Sequence, residues 1–229
     1  MNPDQLNSLS EQLLLDVKME KDSSSIQLQL KELDLDFLRK RLINDDKKKA
    51  FWINIYNAYY QILRTEKKLV KSVIYKKKSI PIAGKLFSLD DVEHGILRRY
   101  RHKHSLGLFA NLLTTNFIKK NAVETLDYRI HFALNCGAKS CPPIAFYNSE
   151  NINAQLDMAT QAFLGGESDF NDESKVVNTT ALFKWFYADF GGKKGIKRIF
   201  SEQLNKDISG YKLNYKAYSW DEDLANFVP

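Results

Sequence analysis

The chain has 229 residues, of which 44% are hydrophobic and 12% aromatic, and 34 Lys and Arg face 28 Asp and Glu. This length and apolar content exclude a disordered chain and support one substantial buried core. The formal net charge of +6 attracts anions only weakly, and a solvated lysine-rich surface accounts for it. We therefore expect no nucleic-acid partner.

The beginning of the chain shows no targeting signal. Residues 1–22 carry acidic side chains and no continuous apolar stretch, and no run anywhere approaches the length of a membrane helix. The expected location is the cytoplasm, with no membrane partner and no cofactor. The sequence does not define an oligomeric state.

Hydrophobic spacing predicts helices through the first third of the chain. Residues 5–20 and 31–43 each carry an apolar stripe at helical spacing. Residues 48–64 are apolar on almost every face, which is typical of a central buried helix. Asn54 and Asn57 lie within this segment. Because buried amides need hydrogen-bond partners, we expect them to bridge a neighbouring loop or to position a catalytic group.

A hairpin and another helix are predicted next. Two short strand-like segments, 80–82 and 85–87, flank a turn that contains glycine, and this pattern indicates a β-hairpin. Ser88 is then a suitable N-cap for a helix that contains Glu93 and His94.

The second half of the chain mixes helix and strand signals. The apolar segment 107–119 is expected to be helical or extended in the core, and the alternation of apolar residues over 126–136 predicts a strand. Helices are expected over 152–164 and 180–190, the second ending at Gly191. The acidic C-terminal tail is expected to pack back onto the domain.

Helices interspersed with short strands predict an α+β fold. We expect one helix-rich domain with a small antiparallel sheet and no internal repeat. Residues 1–44 would form a helical N-terminal extension, and residues 45–229 the main domain.

Four motifs follow one another in the sequence: FWINIYNA (51–58), DVEHGILR (91–98), HFALNCG (131–137) with SCP (140–142), and FKWF (183–186) with DFG (189–191). Together they resemble the domain of unknown function 547 family of bacterial and plant proteins. The resemblance covers roughly residues 45–192 and implies no assigned activity. It also implies that the position of Cys141 is often serine in plant members, whereas the position of Cys136 stays cysteine, which favours Cys136 for chemistry.

Thiol catalysis is the first functional hypothesis. A cysteine becomes a nucleophile when a neighbouring base or dipole stabilises its thiolate. Cys136 follows the predicted strand in a turn that contains glycine, so we expect it to be the nucleophile. His94 would be the general base, oriented by Glu93 or Asn57. The backbone N–H groups of Cys136 and Gly137 would form the oxyanion hole.

The expected reaction is hydrolysis or acyl transfer on an unidentified small-molecule or peptide substrate. NCG followed by SC is distantly similar to the cysteine region of papain-like hydrolases, although the order of His before Cys requires a permuted version of that fold. Arg98 is expected to pair with Glu93 or Asp91 more readily than to clamp a substrate. The candidate binding residues are Trp52, Asn54, Arg98, Gly137 and Cys141.

Two alternatives use the same residues differently. In a reducing compartment Cys136 and Cys141 are thiols, metal ligands or a redox pair, and with His94 and His131 they would make a Cys₂His₂ zinc site. The other alternative is a non-catalytic binding or scaffold domain with structural cysteines, in which aromatic residues such as Trp185 contact a peptide or glycan. An open pocket that holds Cys136 beside a histidine would favour catalysis over the scaffold.

Overall fold

The computed structural model describes residues 5–224 and 226–228. The helices of the first half are α1 (Gln5–Lys18), α2 (Ser24–Glu32), α3 (Leu35–Arg41), α4 (Asp45–Thr65), α5 (Lys71–Ile74), a π-helix (Asp91–Leu97), α6 (Asn116–Asn121) and a 3₁₀ helix (Tyr128–Phe132). Those of the second half are α7 (Ile152–Glu167), α8 (Leu182–Trp185) and α9 (Gly192–Leu204). The strands are β1 (Ile80–Ile82), β2 (Lys85–Phe87), β3 (Asp169–Asn171), β4 (Val176–Thr179) and β5 (Lys212–Tyr215).

Helix α4 forms the centre of the fold because it is apolar on nearly all its faces. Its first turn is stabilised by Asn44, whose side chain accepts the backbone N–H of Lys47 at 3.0 Å. Every residue from Ala50 to Leu63 is buried, as the sequence predicts. Helix α1, which lies in the predicted N-terminal extension, packs along α4.

The strands form two small sheets. β1 and β2 pair antiparallel as the predicted hairpin, with Ile80 opposite Phe87. In the second sheet β4 lies between β3, which is antiparallel to it, and β5, which is parallel. The α+β class with a helix-rich single domain is therefore confirmed, and the second sheet is mixed rather than antiparallel.

Two clusters of buried side chains make up the core. The first surrounds α4 and includes residues of α1, the hairpin and the π-helix. The second is rich in aromatic side chains, including Phe132, Phe163, Phe183, Phe190 and Phe200.

The strand prediction for residues 126–136 is wrong. The Asp127 side chain accepts the backbone N–H of Arg129 at 3.1 Å, and this local cap starts a tight 3₁₀ turn. The alternation of apolar residues has another cause, since Ile130 packs into the first cluster and Phe132 into the second.

Two helix boundaries also differ from the prediction. Residues 31–43 are interrupted because Asp34 begins a new helix, α3, by accepting the backbone N–H of Phe37 at 2.7 Å. In the segment 180–190 only α8 is helical. Gly191, in the left-handed region with φ of 74°, precedes α9 instead of ending the helix before it.

Residues 107–119 were predicted to be helical or extended in the core, and this holds only for their last part, where Phe117 and Ile118 of α6 pack in the first cluster. The segment forms turns before α6, and Leu112 and Leu113 are almost fully exposed. The chain reverses direction between residues 102 and 109, where the His102 backbone N–H donates to the Phe109 carbonyl at 2.8 Å. This reversal keeps the turns on the surface. Among the helices of the described residues, none combines the length and the apolar character that crossing a bilayer requires.

Candidate functional site

A cavity of about 400 Å³ opens where the two clusters meet, since residues of both line it. This volume is in the range of small-molecule sites. The residues with reactive or titratable side chains around it include Glu93, His94, His131, Cys136, Cys141 and Tyr218.

The two cysteines are joined by a disulfide, with their Cα atoms 6.2 Å apart. Of the states that the sequence leaves open, the structure shows the two cysteines bonded to each other, as neither free thiols nor metal ligands. Cys141 is buried, whereas Cys136 is partly exposed. The hydroxyl of Tyr218 lies 3.3 Å from Cys136 Sγ and 3.0 Å from Cys141 Sγ. Cys136 is therefore the sulfur that a molecule in the cavity reaches more easily.

Helix α4 holds the segment that carries the disulfide. The Asn57 side chain donates to the Ala133 carbonyl at 2.9 Å and accepts the Asn135 backbone N–H at 3.0 Å. Both hydrogen-bonding groups of this amide are thus used on the segment that precedes Cys136. Asn57 therefore holds that segment in place and does not orient the His94 ring, which is the role that the sequence predicted for it.

The predicted oxyanion donors are engaged elsewhere. The Gly137 backbone N–H donates to Asn135 Oδ1 at 2.7 Å, and the Cys136 N–H donates to Cys141 Sγ at 3.0 Å. Gly137 is required by the packing, since its φ is 63° and a Cβ there would lie 2.5 Å from the Tyr60 ring. Neither N–H group is therefore free to bind an oxyanion.

An aromatic wall, formed by Trp185, Tyr218 and Trp220, lines one side of the cavity. The two indoles stack with centroids 5.6 Å apart, and the tyrosine ring lies 4.7 Å from each of them. The C-terminal tail that follows is fixed to the cysteine segment, where the Lys139 backbone N–H donates to the Asp221 carbonyl at 2.8 Å. The predicted packing of the tail against the domain is confirmed.

The π-helix presents two neighbouring side chains to the cavity. Its wide turn is closed by the Arg98 backbone N–H, which donates to the Glu93 carbonyl at 2.8 Å. Glu93 and His94 both line the cavity as a result. Glu93 accepts a hydrogen bond from the Tyr56 hydroxyl at 3.1 Å, and its other oxygen lies 3.5 Å from His94 Nδ1.

A fully buried ion pair lies behind the two histidines. Arg98 Nε donates to Asp189 Oδ2 at 2.6 Å, and His131 Nε2 is 2.9 Å from the same oxygen. The Phe186 ring stacks on His131 at 3.9 Å and covers the guanidinium at 4.6 Å. Arg98 is an ion-pair partner as predicted, but the predicted partners in the π-helix are wrong, because its carboxylate comes from Asp189.

The hydrogen bonds fix where each imidazole carries its proton. A guanidinium can only donate, so the 2.8 Å contact from Arg98 Nη1 makes His94 Nδ1 an acceptor. Neutral His94 therefore has its proton on Nε2, which lies 3.7 Å from Asp90 Oδ1. In His131 the proton is on Nε2, because that atom faces the Asp189 carboxylate, and Nδ1 keeps its lone pair.

Burial and charge set the ionisation of these groups. Burial lowers the pKa of His94, against the attraction of Glu93, and lowers the pKa of His131, against its hydrogen bond to Asp189. Burial alone would raise the pKa of Glu93 and Asp189. The attraction of Glu93 to His94 and Arg98, and the hydrogen bonds from His131 and Arg98 to Asp189, hold both carboxyl pKa values below their ordinary range. Near pH 7 the site combines neutral imidazoles with charged carboxylates.

Four of the five predicted binding residues, Trp52, Asn54, Arg98 and Gly137, are outside the lining of this cavity, whereas Cys141 is part of it. Trp52 is fully buried, with its ring centroid 5.0 Å from those of Phe51 and Phe87. Asn54 is also fully buried and accepts the Tyr147 backbone N–H at 3.1 Å. Both residues support α4 and its neighbours.

The zinc alternative finds no support. Across residues 5–224 and 226–228, no group of three or more His, Cys, Asp or Glu side chains is arranged to hold a metal ion. The two sulfur atoms that would be ligands are bonded to each other.

Several residues of the site were not predicted from the sequence. Asp189 is 58 positions from its partner His131, and Tyr218 is 77 positions from Cys141. No spacing rule connects positions so far apart, and Asp189 was noted only as part of a DFG tripeptide. Its position among aromatic residues in the segment FYADF (186–190) was the signal available in the sequence.

The comparisons with known proteins concern the middle of the chain. The sequence model of the family described as "Protein of unknown function, DUF547" matches residues 40–164, which include Glu93, His94, His131 and both cysteines. No curated protein and no solved structure is significantly similar to the chain, and the likeness to papain-like hydrolases finds no support. The matched segment is more than half of the chain, which therefore belongs to the DUF547 family of proteins of unknown function.

Proposed function

We propose that the cavity is the active site of a thiol-dependent hydrolase or acyl transferase, in which Cys136 is the nucleophile once the disulfide is reduced. One observation carries the proposal: Cys136 and Cys141 line the same cavity as the imidazoles of His94 and His131 and the charged carboxylate of Glu93. Titratable groups with shifted pKa values that converge on a concave site are typical of active sites.

Reduction comes first in this proposal. Two equivalents of a small thiol, or one dithiol, are oxidised to a disulfide while the Cys136–Cys141 bond is converted to two thiols. The partly exposed Cys136 is the sulfur attacked more readily by groups in the cavity. Burial raises the pKa of Tyr218, so its hydroxyl stays protonated and can donate to a nearby thiolate.

In the acyl step, His131 accepts the thiol proton of Cys136 on Nδ1, and the thiolate forms a C–S bond with the substrate carbonyl. Asp189 stabilises the imidazolium that results. The proton on His131 then leaves with the departing group. The acyl group on Cys136 passes to water in a hydrolase or to a second nucleophile in a transferase.

His94 is suited to a different role from the one that the sequence suggested. As its Nδ1 accepts from Arg98, its free hydrogen is on Nε2, which can donate to the oxyanion that develops on the substrate. This role replaces the backbone donors that are already engaged. His94 as the general base remains the competing assignment, with Glu93 as the carboxylate 3.5 Å from its ring.

The test is the pH dependence of iodoacetamide alkylation in the reduced protein, read for each cysteine by mass spectrometry. We expect Cys136 to react with an apparent pKa below the ordinary value of about 8.5. His131→Gln should raise that apparent pKa, whereas His94→Gln should change it little. His102→Gln is the matched control, because His102 is exposed and outside the cavity lining.

Either of two results would contradict the proposal. If the pH dependence of alkylation gives Cys136 an ordinary or raised apparent pKa, no base activates the thiol. A larger effect of His94→Gln than of His131→Gln would return the base to His94.

The aromatic wall favours one second candidate, a binding domain without catalysis. Stacked indoles beside a tyrosine offer a flat apolar surface to a peptide or glycan. In that case a ligand that quenches tryptophan fluorescence would bind equally to wild type and to Cys136→Ser, and reduced Cys136 would show no enhanced reactivity.

A further inference from the structure

An exposed loop stands beside the cavity. This segment, residues 99–114, is called the apolar loop below. Its two arms pair antiparallel, with Arg101 opposite Ala110, and the Asn111 backbone N–H donates to the Tyr100 carbonyl at 2.7 Å. The pairing fixes the shape of the loop, so the side chains on it hold defined positions.

The end of the apolar loop, residues 103–108, is held against the fold beside the buried ion pair. Gly107 lies so close to the buried ion pair that a Cβ there would be 2.1 Å from Asp189 Oδ1. The Ala188 backbone N–H donates to the Leu106 carbonyl at 2.9 Å, and Lys103 pairs with Asp90 at 2.7 Å. Phe109, Leu112 and Leu113 lie on the second arm and the residues after it, outside this anchored end.

The loop carries five large apolar side chains that are exposed to solvent. Their exposed fractions are 45% for Leu106, 55% for Leu108, 69% for Phe109, 86% for Leu112 and 93% for Leu113. Scattered exposed leucines are ordinary, but five large apolar residues within eight positions form a patch that indicates an interaction. Leu112 and Leu113, the most exposed of the five, lie outside the anchored end of the loop and are free to enter a soft apolar phase.

The same region concentrates positive charge. Residues 99–120 contain five Lys and Arg and no Asp or Glu, namely Arg99, Arg101, Lys103, Lys119 and Lys120. Within the part of the chain that the structure describes, only Lys103 among these five forms an ion pair. Uncompensated basic side chains next to exposed apolar ones are the combination that holds peripheral proteins on anionic membranes.

We propose that the apolar loop docks this protein onto an anionic phospholipid surface. Phe109, Leu112 and Leu113 enter the headgroup layer, and Arg99 and Arg101 contact lipid phosphates. Docking of this kind is peripheral and needs no spanning helix. It would replace the expectation of no membrane partner, and it does not depend on the thiol chemistry proposed above.

The test is flotation of the full-length protein with vesicles of equimolar phosphatidylcholine and phosphatidylserine, beside vesicles of phosphatidylcholine alone. Wild type should float with the anionic vesicles, and added salt should release it. The double variant Leu112→Ser with Leu113→Ser should partition about tenfold less, because it removes most of the inserted apolar area. The control variant combines Leu28→Ser and Met158→Ser, which replace exposed apolar residues of α2 and α7, outside the apolar loop. It should bind the vesicles like wild type.

The substitutions lie on the surface, so unchanged urea midpoints are expected for both double variants. Failure of wild type to float with anionic vesicles would overturn the proposal. Equal flotation of wild type and the loop variant would also overturn it. So would a shift of the loop variant from dimer to monomer in size-exclusion chromatography without any vesicle binding, since the loop would then contact a second copy of the chain.

Discussion

Replacing Asp189 by asparagine probes the buried charge network most selectively. The side chain keeps its shape but loses the negative charge that faces Arg98 Nε at 2.6 Å and His131 Nε2 at 2.9 Å. All three side chains are almost completely buried, so water cannot replace the lost charge. The variant therefore leaves a positive guanidinium in the core without its counter-ion.

The size of the effect follows from the burial of this pair. Removing one partner of a buried ion pair costs about 3–5 kcal/mol, because the remaining charge is uncompensated. Arg98 keeps its contact with the Phe186 ring and its hydrogen bond to His94. The expected loss for Asp189→Asn is therefore at the lower end, about 3 kcal/mol. At a urea m-value of roughly 2–3 kcal/mol/M, the unfolding midpoint falls by about 1 M or more.

Urea unfolding of the oxidised protein, followed by tryptophan fluorescence, measures this loss. Asp36→Asn is the control, since its ion pair with Arg39 is on the surface and contributes less than about 1 kcal/mol. The double variant Asp189→Asn with Arg98→Met should regain part of the stability, because no unpaired charge remains. A loss below about 1 kcal/mol for Asp189→Asn, at an unchanged m-value, would refute the reasoning.

Four further predictions concern the stability of the fold, each measured as the free energy of unfolding in urea. Gly107→Ala should cost at least about 2 kcal/mol, against roughly 1 kcal/mol for Gly84→Ala, since both have positive φ but only the first meets a buried carboxylate oxygen; equal losses would contradict this. Reducing the disulfide, which closes a short loop, should cost about 2 kcal/mol; no change on adding a reductant would disagree. Asn57→Ala should cost about 2–4 kcal/mol because it leaves two buried backbone groups unpaired; a neutral result would show that water reaches them. Folding lowers the pKa values of His94 and His131, so the unfolded chain binds protons first as the pH falls. The free energy of unfolding should therefore have its full value above about pH 6.5 and fall below that pH by up to about 1.4 kcal/mol per pH unit for each histidine. Replacing either histidine by Gln should make the free energy of unfolding depend less on pH.

The sequence predicts the elements whose signals are local. Helix α4 is clear from its length and from apolar residues on every face, and the hairpin from its glycine turn. For Asn57, local reasoning predicts partners outside the buried helix but leaves open whether the amide bridges a loop or positions a catalytic group; the structure shows it bonded to the segment before Cys136. Cys136, His94 and Glu93 could be grouped from the sequence only through the family resemblance, and the structure brings all three to one cavity.

The remaining features depend on contacts between distant parts of the chain. The alternation of apolar residues over 126–136 suggests a strand. In the structure it reflects a 3₁₀ helix in which Ile130 enters the first cluster and Phe132 the second. Apolar content alone placed residues 107–119 in the core, since hydrophobicity does not distinguish a buried segment from an exposed contact surface. Asp189 and Tyr218 reach the site only through the packing of the second half of the fold.

Transfer of an acyl group to Cys136 tests the central claim most directly. The reduced protein would be incubated with a small p-nitrophenyl acyl ester, and the intact mass and the modified residue would be determined by mass spectrometry. The proposed function predicts one acyl group on Cys136, absent from the oxidised protein and from Cys136→Ser, and formed more slowly in His131→Gln. Acylation at Cys141 or at lysines only, or at equal rates in native and urea-unfolded protein, would contradict a thiol active site in this cavity.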